Sequence, residues 1–238
     1  MPKPDNDEKL FDIMYSCRSM RRLKPDPVPE ELLVQLVDAA IQGPSGTNSQ
    51  NWKFIIAREP AAKQRIAETW KRIAAFYEET IAAIPLRAGE TAEGRARQRK
   101  AGAYMVEHMH EAPAIVFVCT RRDEEIAKMS AQPSTMMAAI RHFGVGGALK
   151  LATNGSRSTV QQGDGAAYPA VQNLLLAARA LGLGAVLTTP HLFVPGEFEE
   201  IIGLPADHTL AAIIPVGYPK GKFGPITRPD PTSTITWI

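Results

Sequence analysis

The chain has 238 residues, of which 45% are hydrophobic and 22% charged, a balance that excludes disorder throughout and supplies enough apolar side chain for a real core. Its 27 Lys and Arg against 25 Asp and Glu leave a formal +2, which excludes nucleic-acid binding by bulk charge. Cys17 and Cys119 stand far apart without CxxC or Cys/His spacing, so neither a disulfide framework nor a metal site is indicated.

In chain order, residues 1–9 are polar and form no secretory h-region, and no later apolar run approaches the ~18 residues that span a bilayer. A cytoplasmic protein with neither membrane nor nucleic-acid partner is expected. Leu10, Phe11, Ile13, Met14 and Cys17 recur at three- and four-residue spacings and predict an amphipathic helix running into the basic stretch 16–23. A second helix starts after Pro29, carries Leu32, Leu33, Leu36, Val37 and Ala40 on one side and stops at Gly43. Residues 52–58 predict the first strand, and 61–83 a long helix with Ile66, Trp70, Ile73, Phe76 and Tyr77 on its apolar face. Residues 84–100 turn polar and Arg-rich, as a lid or partner-contacting segment would, with a helix following over about 100–111.

The run at 112–120 is short, continuous and rich in branched side chains, and predicts a strand buried on both faces. Six glycines among polar residues predict a long loop over 141–165. Residues 166–181 are apolar nearly all round, which predicts a helix inside a core or a subunit interface. Strands at 184–189 and 209–217 bracket a short helix, and no repeat or linker divides the chain. One α+β domain over 1–238 is the economical reading.

The usual catalytic signatures are missing: there is no Walker sequence, GxGxxG, HExxH or GxSxG. His108 and His110, two apart on a helix, point to different faces, so metal binding is not expected. Two polar clusters remain. Arg18, Ser19, Arg21 and Arg22 follow the first helix; if its turn continues, Arg18 with Arg21 or Arg22 makes a fork able to grip a phosphate, and otherwise the cations merely complement the helix dipole. Residues 43–52, GPSGTNSQNW, combine backbone-fixing glycine and proline with donors and acceptors suited to a flat heterocycle, or to a capped turn before a strand.

Together, Arg18-Ser19-Met20-Arg21 and Pro44-Ser45-Gly46-Thr47-Asn48-Ser49-Gln50-Asn51-Trp52 resemble the nitroreductase family of FMN enzymes, with Asn51 where that family has proline. Residues 166–190 look like its central helix and second flavin-contacting loop, and 213–219 like its last core strand, with Arg228 at a closing phosphate position. Stretches 76–110 and 121–165 lie outside the resemblance. It implies a three-layer α+β fold, a central mostly antiparallel sheet flanked by helices, in an intertwined homodimer with the 229–238 tail lying on the partner. It also implies FMN, with Arg18, Ser19, Arg21 and Arg228 at its phosphate and pyrimidine edge, Pro44, Ser45, Gly46 and Asn48 along its ring, and Leu187, Thr188 and Thr189 on the N5 side. Thr47 is placed near the substrate.

The implied activity is ping-pong reduction of nitroaromatic, quinone or other electron-poor aromatic substrates with NADPH or NADH, no side chain acting as acid or base. Thr188 or Thr189 would tune the flavin. Thr189-Pro190, where many members carry Glu-Gly, looks more like the iodotyrosine deiodinase branch. Reductive dehalogenation of halogenated phenols or tyrosines is therefore one alternative, and a flavin-binding redox sensor without turnover is another.

Overall fold

The computed structural model describes residues 10–81, 84–86, 89–122, 128–129, 132–224, 226 and 228–238, with side chains described at all of these except 154–164. Helix α1 (Leu10–Ser16) and helix α2 (Glu30–Ala40) precede strand β1 (Trp52–Ala57). Helices α3 (Pro60–Ile81) and α4 (Ala92–Glu107) then lead to strand β2 (Ala114–Arg121). Helix α5 (Pro133–Ala180) is followed by strand β3 (Gly184–Ala185), helix α6 (Glu197–Ile202) and strand β4 (His208–Gly217).

The four strands form one antiparallel sheet in the order β1-β2-β4-β3. Its central strand β2 is buried on both faces, and alternate side chains serve two separate cores. Ala114, Val116 and Val118 meet α2 and α5 through Leu33, Leu36, Val171 and Leu174. Ile115, Phe117 and Cys119 meet α3 and α6 through Ile66, Trp70 and Phe198. This is the expected three-layer α+β arrangement. Gly43 fixes how closely α2 approaches α5: a Cβ there would lie 3.0 Å from the Ala170 nitrogen and 3.2 Å from the Pro169 carbonyl carbon.

Three expectations are corrected. The predicted loop at 141–165 is part of α5, because Pro133 starts a helix rich in Met, Ala and Leu and no further proline comes before Pro169. Among its glycines only Gly144, at φ +70°, leaves helical geometry. Helix α4 begins at Ala92, not near 100, because Thr91 caps it by accepting the Gly94 N–H at 3.0 Å. The strand expected over 184–189 shrinks to two residues plus a bridge from Thr188 to Ile213. The 166–181 helix lies inside a core, one of its two expected places: Ala167, Ala170, Val171, Leu174 and Ala178 are buried against α2 and the sheet. Residues 1–9, 82–83 and 87–88, part of the predicted N-terminal and lid segments, lie outside the described residues.

Candidate active site

The basic stretch does not continue the first helix. After Ser16 the chain straightens and runs along the β3 edge of the sheet. The Met20 N–H donates to the Ala185 carbonyl (3.0 Å), the Lys24 N–H to Tyr218 (2.7 Å), and the Lys220 N–H to Arg22 (2.9 Å). A helical arginine fork therefore does not form. Arg18 and Arg21 are brought together all the same, since Arg18 contributes to lowering the Arg21 guanidinium below its ordinary value, after the larger effect of burial.

Among the described residues neither arginine has a hydrogen bond or an ion pair, while Arg21 is half-buried. Two neighbouring cations, one of them desolvated, are most readily stabilised by an anion. Arg18 Nη1 lies 3.8 Å from where a Cβ of Gly224 would stand, which places it beside the C-terminal tail. Arg228 is exposed further along that tail.

Arg21 also lines a cavity of about 1000 Å³ between α3, α4 and the segment after β3. Thr188, Thr189 and Pro190 line it too, with Trp70, Ile73, Tyr77 and Phe193 providing apolar wall. The Phe193 ring meets Phe76 and Tyr77 edge-on, at centroid distances of 6.0 and 6.4 Å, and so joins the end of α3 to the turn after Thr189. Lys71 of α3 and Lys100 of α4 face the same space.

The two threonines differ. The Thr188 hydroxyl donates to the Ile213 carbonyl at 2.6 Å, beside the paired backbones of the same two residues. The Thr189 hydroxyl has no partner among the described residues and faces the cavity. Leu187, just before them, is exposed, as are Arg18 and Ser19.

Pro44, Ser45, Gly46, Thr47 and Asn48 do not line this cavity. They form the turn that enters β1 at the other edge of the sheet. That turn is held in an unusual shape, with Thr47, Asn48 and Gln50 all in the left-handed region at φ 51°, 55° and 46°. A β-branched residue there is strained, and such strain, about 1–3 kcal/mol per residue, persists only where its surroundings impose it. The Gln50 N–H donates to Ser45 Oγ (3.1 Å), Asn51 Nδ2 to the Arg121 carbonyl (2.9 Å), and Trp52 Nε1 to Ala166 (2.8 Å).

Trp52 pairs with Thr120 at one end of the sheet, and Ala185 with Val216 at the other end. Across three strand spacings and several residues of rise, these corners are more than about 20 Å apart. One chain therefore carries the two clusters at diagonally opposite corners.

The family model described as the Nitroreductase family matches residues 15–218. The chain belongs to the nitroreductase family. With that membership comes a family of flavin-dependent oxidoreductases. A Thermus thermophilus protein named NADH dehydrogenase is 28% identical over 92% of this chain and 91% of its own length. An iodotyrosine deiodinase of Thermotoga neapolitana is 25% identical over 88% of each chain. Among solved structures, an iodotyrosine deiodinase bound to FMN and 3-iodo-L-tyrosine superposes with a TM-score of 0.63 at 23% identity, covering 93% of this chain and 96% of that one. A BluB-like flavoprotein from Clostridium difficile 630 reaches 0.66 at 19% identity, over 97% and 99% of the two chains. These likenesses establish the nitroreductase fold.

Reasoning from sequence missed the cavity wall of Lys71, Tyr77 and Phe193. The three-and-four spacing of α3 does run on to Tyr77, and that continuation past the buried core was the available signal. Among the described residues no group of three or more His, Cys, Asp or Glu side chains could hold a metal ion.

Proposed function

We propose that the protein is an FMN-dependent oxidoreductase that reduces electron-poor aromatic compounds, nitroaromatics or quinones, with NADPH or NADH in a ping-pong sequence. The unpartnered Arg18 and Arg21, with Arg21 on the wall of the cavity that Thr189 also faces, carry this reading. Bound FMN supplies hydride acceptance from the nicotinamide and electron delivery to the acceptor. Arg18, Ser19 and Arg21, with Arg228 from the tail, give the charge and donors for its phosphate and pyrimidine edge. Thr189 offers the free hydroxyl on the ring side. Tyr77 and Phe193 give a flat substrate an apolar wall and exclude water from it. Ile84, Glu90 and the first turns of α4 line this cavity and serve as its lid in this reading.

The site is completed by a second copy of the chain. The turn of Pro44, Ser45, Gly46 and Asn48, with Thr47 toward substrate, comes from the partner, since within one chain it stands at the opposite corner of the sheet. Exposed Leu10, Phe11 and Tyr15 of α1, and Trp237 in the tail, give that partner apolar surface to cover.

The purified protein is expected to be yellow and to bind FMN at least about a hundredfold more tightly than riboflavin, because charge-assisted bonds to phosphate are the strong ones. Equal affinity for the two overturns the phosphate assignment, and a yellow protein that NADPH and NADH both fail to bleach overturns the enzymatic one. A second reading, reductive dehalogenation of halogenated phenols, rests on Thr189-Pro190 and on the deiodinase relative. Comparing turnover of a halophenol with that of a nitroaromatic separates the two.

A further inference from the structure

We infer that the acceptor taken by this site is an aromatic acid, whose carboxylate is held by Lys71 and Lys100 on the wall of the cavity. The inference rests on the oxidoreductase reading above and adds a substrate class to it. Charge decides the class. Two of the cations lining the cavity are already answered: Arg95 bonds Glu90 (Nε to Oε1, 2.9 Å), and Arg99 of α4 pairs with Glu78 of α3. The remaining acid on the described wall, Glu107, stands 3.9 Å from His108 Nε2. That leaves Arg21, Lys71 and Lys100, none of which has a hydrogen bond or an ion pair among the described residues. Arg21 is taken by the flavin phosphate in this reading, so the two lysines remain for the substrate.

The lysines stand on the two helices that face each other across the cavity. Lys71 precedes Glu78 by seven residues, about two turns, on one face of α3, and Lys100 directly follows Arg99, which is tied to Glu78. Each ammonium sits on a flexible four-carbon stem, so the pair can close on one anion from two sides while Tyr77 and Phe193 take the ring. A neutral aromatic would cover the same cations without answering their charge, which costs affinity. The partner's turn that completes the site brings no acid either, since residues 39–58 contain no Asp or Glu. The reduction keeps its balance: NADPH gives two electrons and a proton, solvent gives a second proton, and a nitro group becomes nitroso with release of water.

The test compares 4-nitrobenzoate with its methyl ester, which has the same ring and nitro group and no charge. Calorimetry on the oxidised holoprotein is expected to show the acid binding about tenfold more tightly than the ester, and kcat/KM with NADPH to show the same preference, through KM. The ester is the more electron-poor of the two, so a preference for the acid does not come from the ring's own reactivity. Rising salt should weaken binding of the acid and leave that of the ester alone. Lys71→Gln with Lys100→Gln should bring the acid-to-ester ratio close to one, and Lys71→Arg with Lys100→Arg should retain it. A wild type that binds acid and ester equally overturns the proposal and leaves the oxidoreductase reading standing. A protein that reduces neither compound with NADPH or NADH overturns that reading instead, and calorimetry still decides what the lysines bind. An acid preference that survives both glutamine changes overturns the proposal too; if those changes slow reduction by NADPH alone, the lysines serve the reductant's phosphates. Circular dichroism verifies folding; should the glutamine variant misfold, the wild-type acid-to-ester ratio and its salt dependence decide alone.

Discussion

At the scale of single residues, the two threonines after β3 look alike in sequence and differ in what they can do. Thr188 spends its hydroxyl proton on Ile213, so Thr188→Ala should loosen the join between this loop and β4 and lower stability by about 1 kcal/mol. Thr189→Ala should leave stability unchanged and shift the midpoint potential of the bound flavin, read by photoreduction against a reference dye. A shift in the Thr188 variant alone would move the tuning role one residue back. Cys119 gives a pH prediction. Burial chiefly, with Glu199 adding, pushes its thiol up to about 12 from an ordinary 9.0. The unfolded chain thus releases this proton first. Stability should be intact below pH 9 and fall as pH climbs toward 12, by at most about 4 kcal/mol. Urea midpoints between pH 8 and 11 should show that decline, and Cys119→Ala should flatten it while lowering the plateau.

At the scale of elements, α4 is the loosest large piece around the cavity. It contains no buried residue. Arg95 ties it to the preceding segment through Glu90 (Nε to Oε1, 2.9 Å) and the carbonyls of Ile84 and Pro85, and Arg99 pairs with Glu78 of α3. Ion pairs at the surface hold an element only weakly and weaken further with salt. Amides of α4 should therefore exchange with solvent well before those of β2 and β4, faster in 0.5 M salt (about a 4 Å screening length) or with Arg99→Ala; protection equal to that of α3 would refute a salt-tied cover. How far the sequence can be read also shows at this scale. The unbroken apolar run of β2 predicted a doubly buried strand correctly because two helical layers demand one. The start of α4 was missed because its cap, Thr91 followed by Glu93, sits in an otherwise arginine-rich stretch. Residues 141–165 read as a loop because glycine disfavours helix, whereas most glycines there cost little more than propensity. The arginine stretch reads locally as a continuation of the first helix and is extended in the structure, since pairing with Ala185 and Tyr218 is long-range and leaves no local signature.

For the whole molecule, the tail and the sheet geometry make one argument. Trp237 is 89% exposed on the single chain. Ending the chain at Pro229 should weaken the dimer and its flavin together, seen as a lower sedimentation coefficient and a paler protein; an unchanged, fully yellow dimer would make the tail dispensable. The diagonal separation of the arginines from the strained turn has a genetic consequence. An Arg21→Ala chain would be inactive for want of its own cluster, and an Asn48→Ala chain because it fails the neighbour's cluster. When the two are refolded together, half the dimers are mixed, and each mixed dimer gathers both lesions into one pocket and leaves the other whole. About a quarter of wild-type turnover should then return from two preparations that are each dead alone.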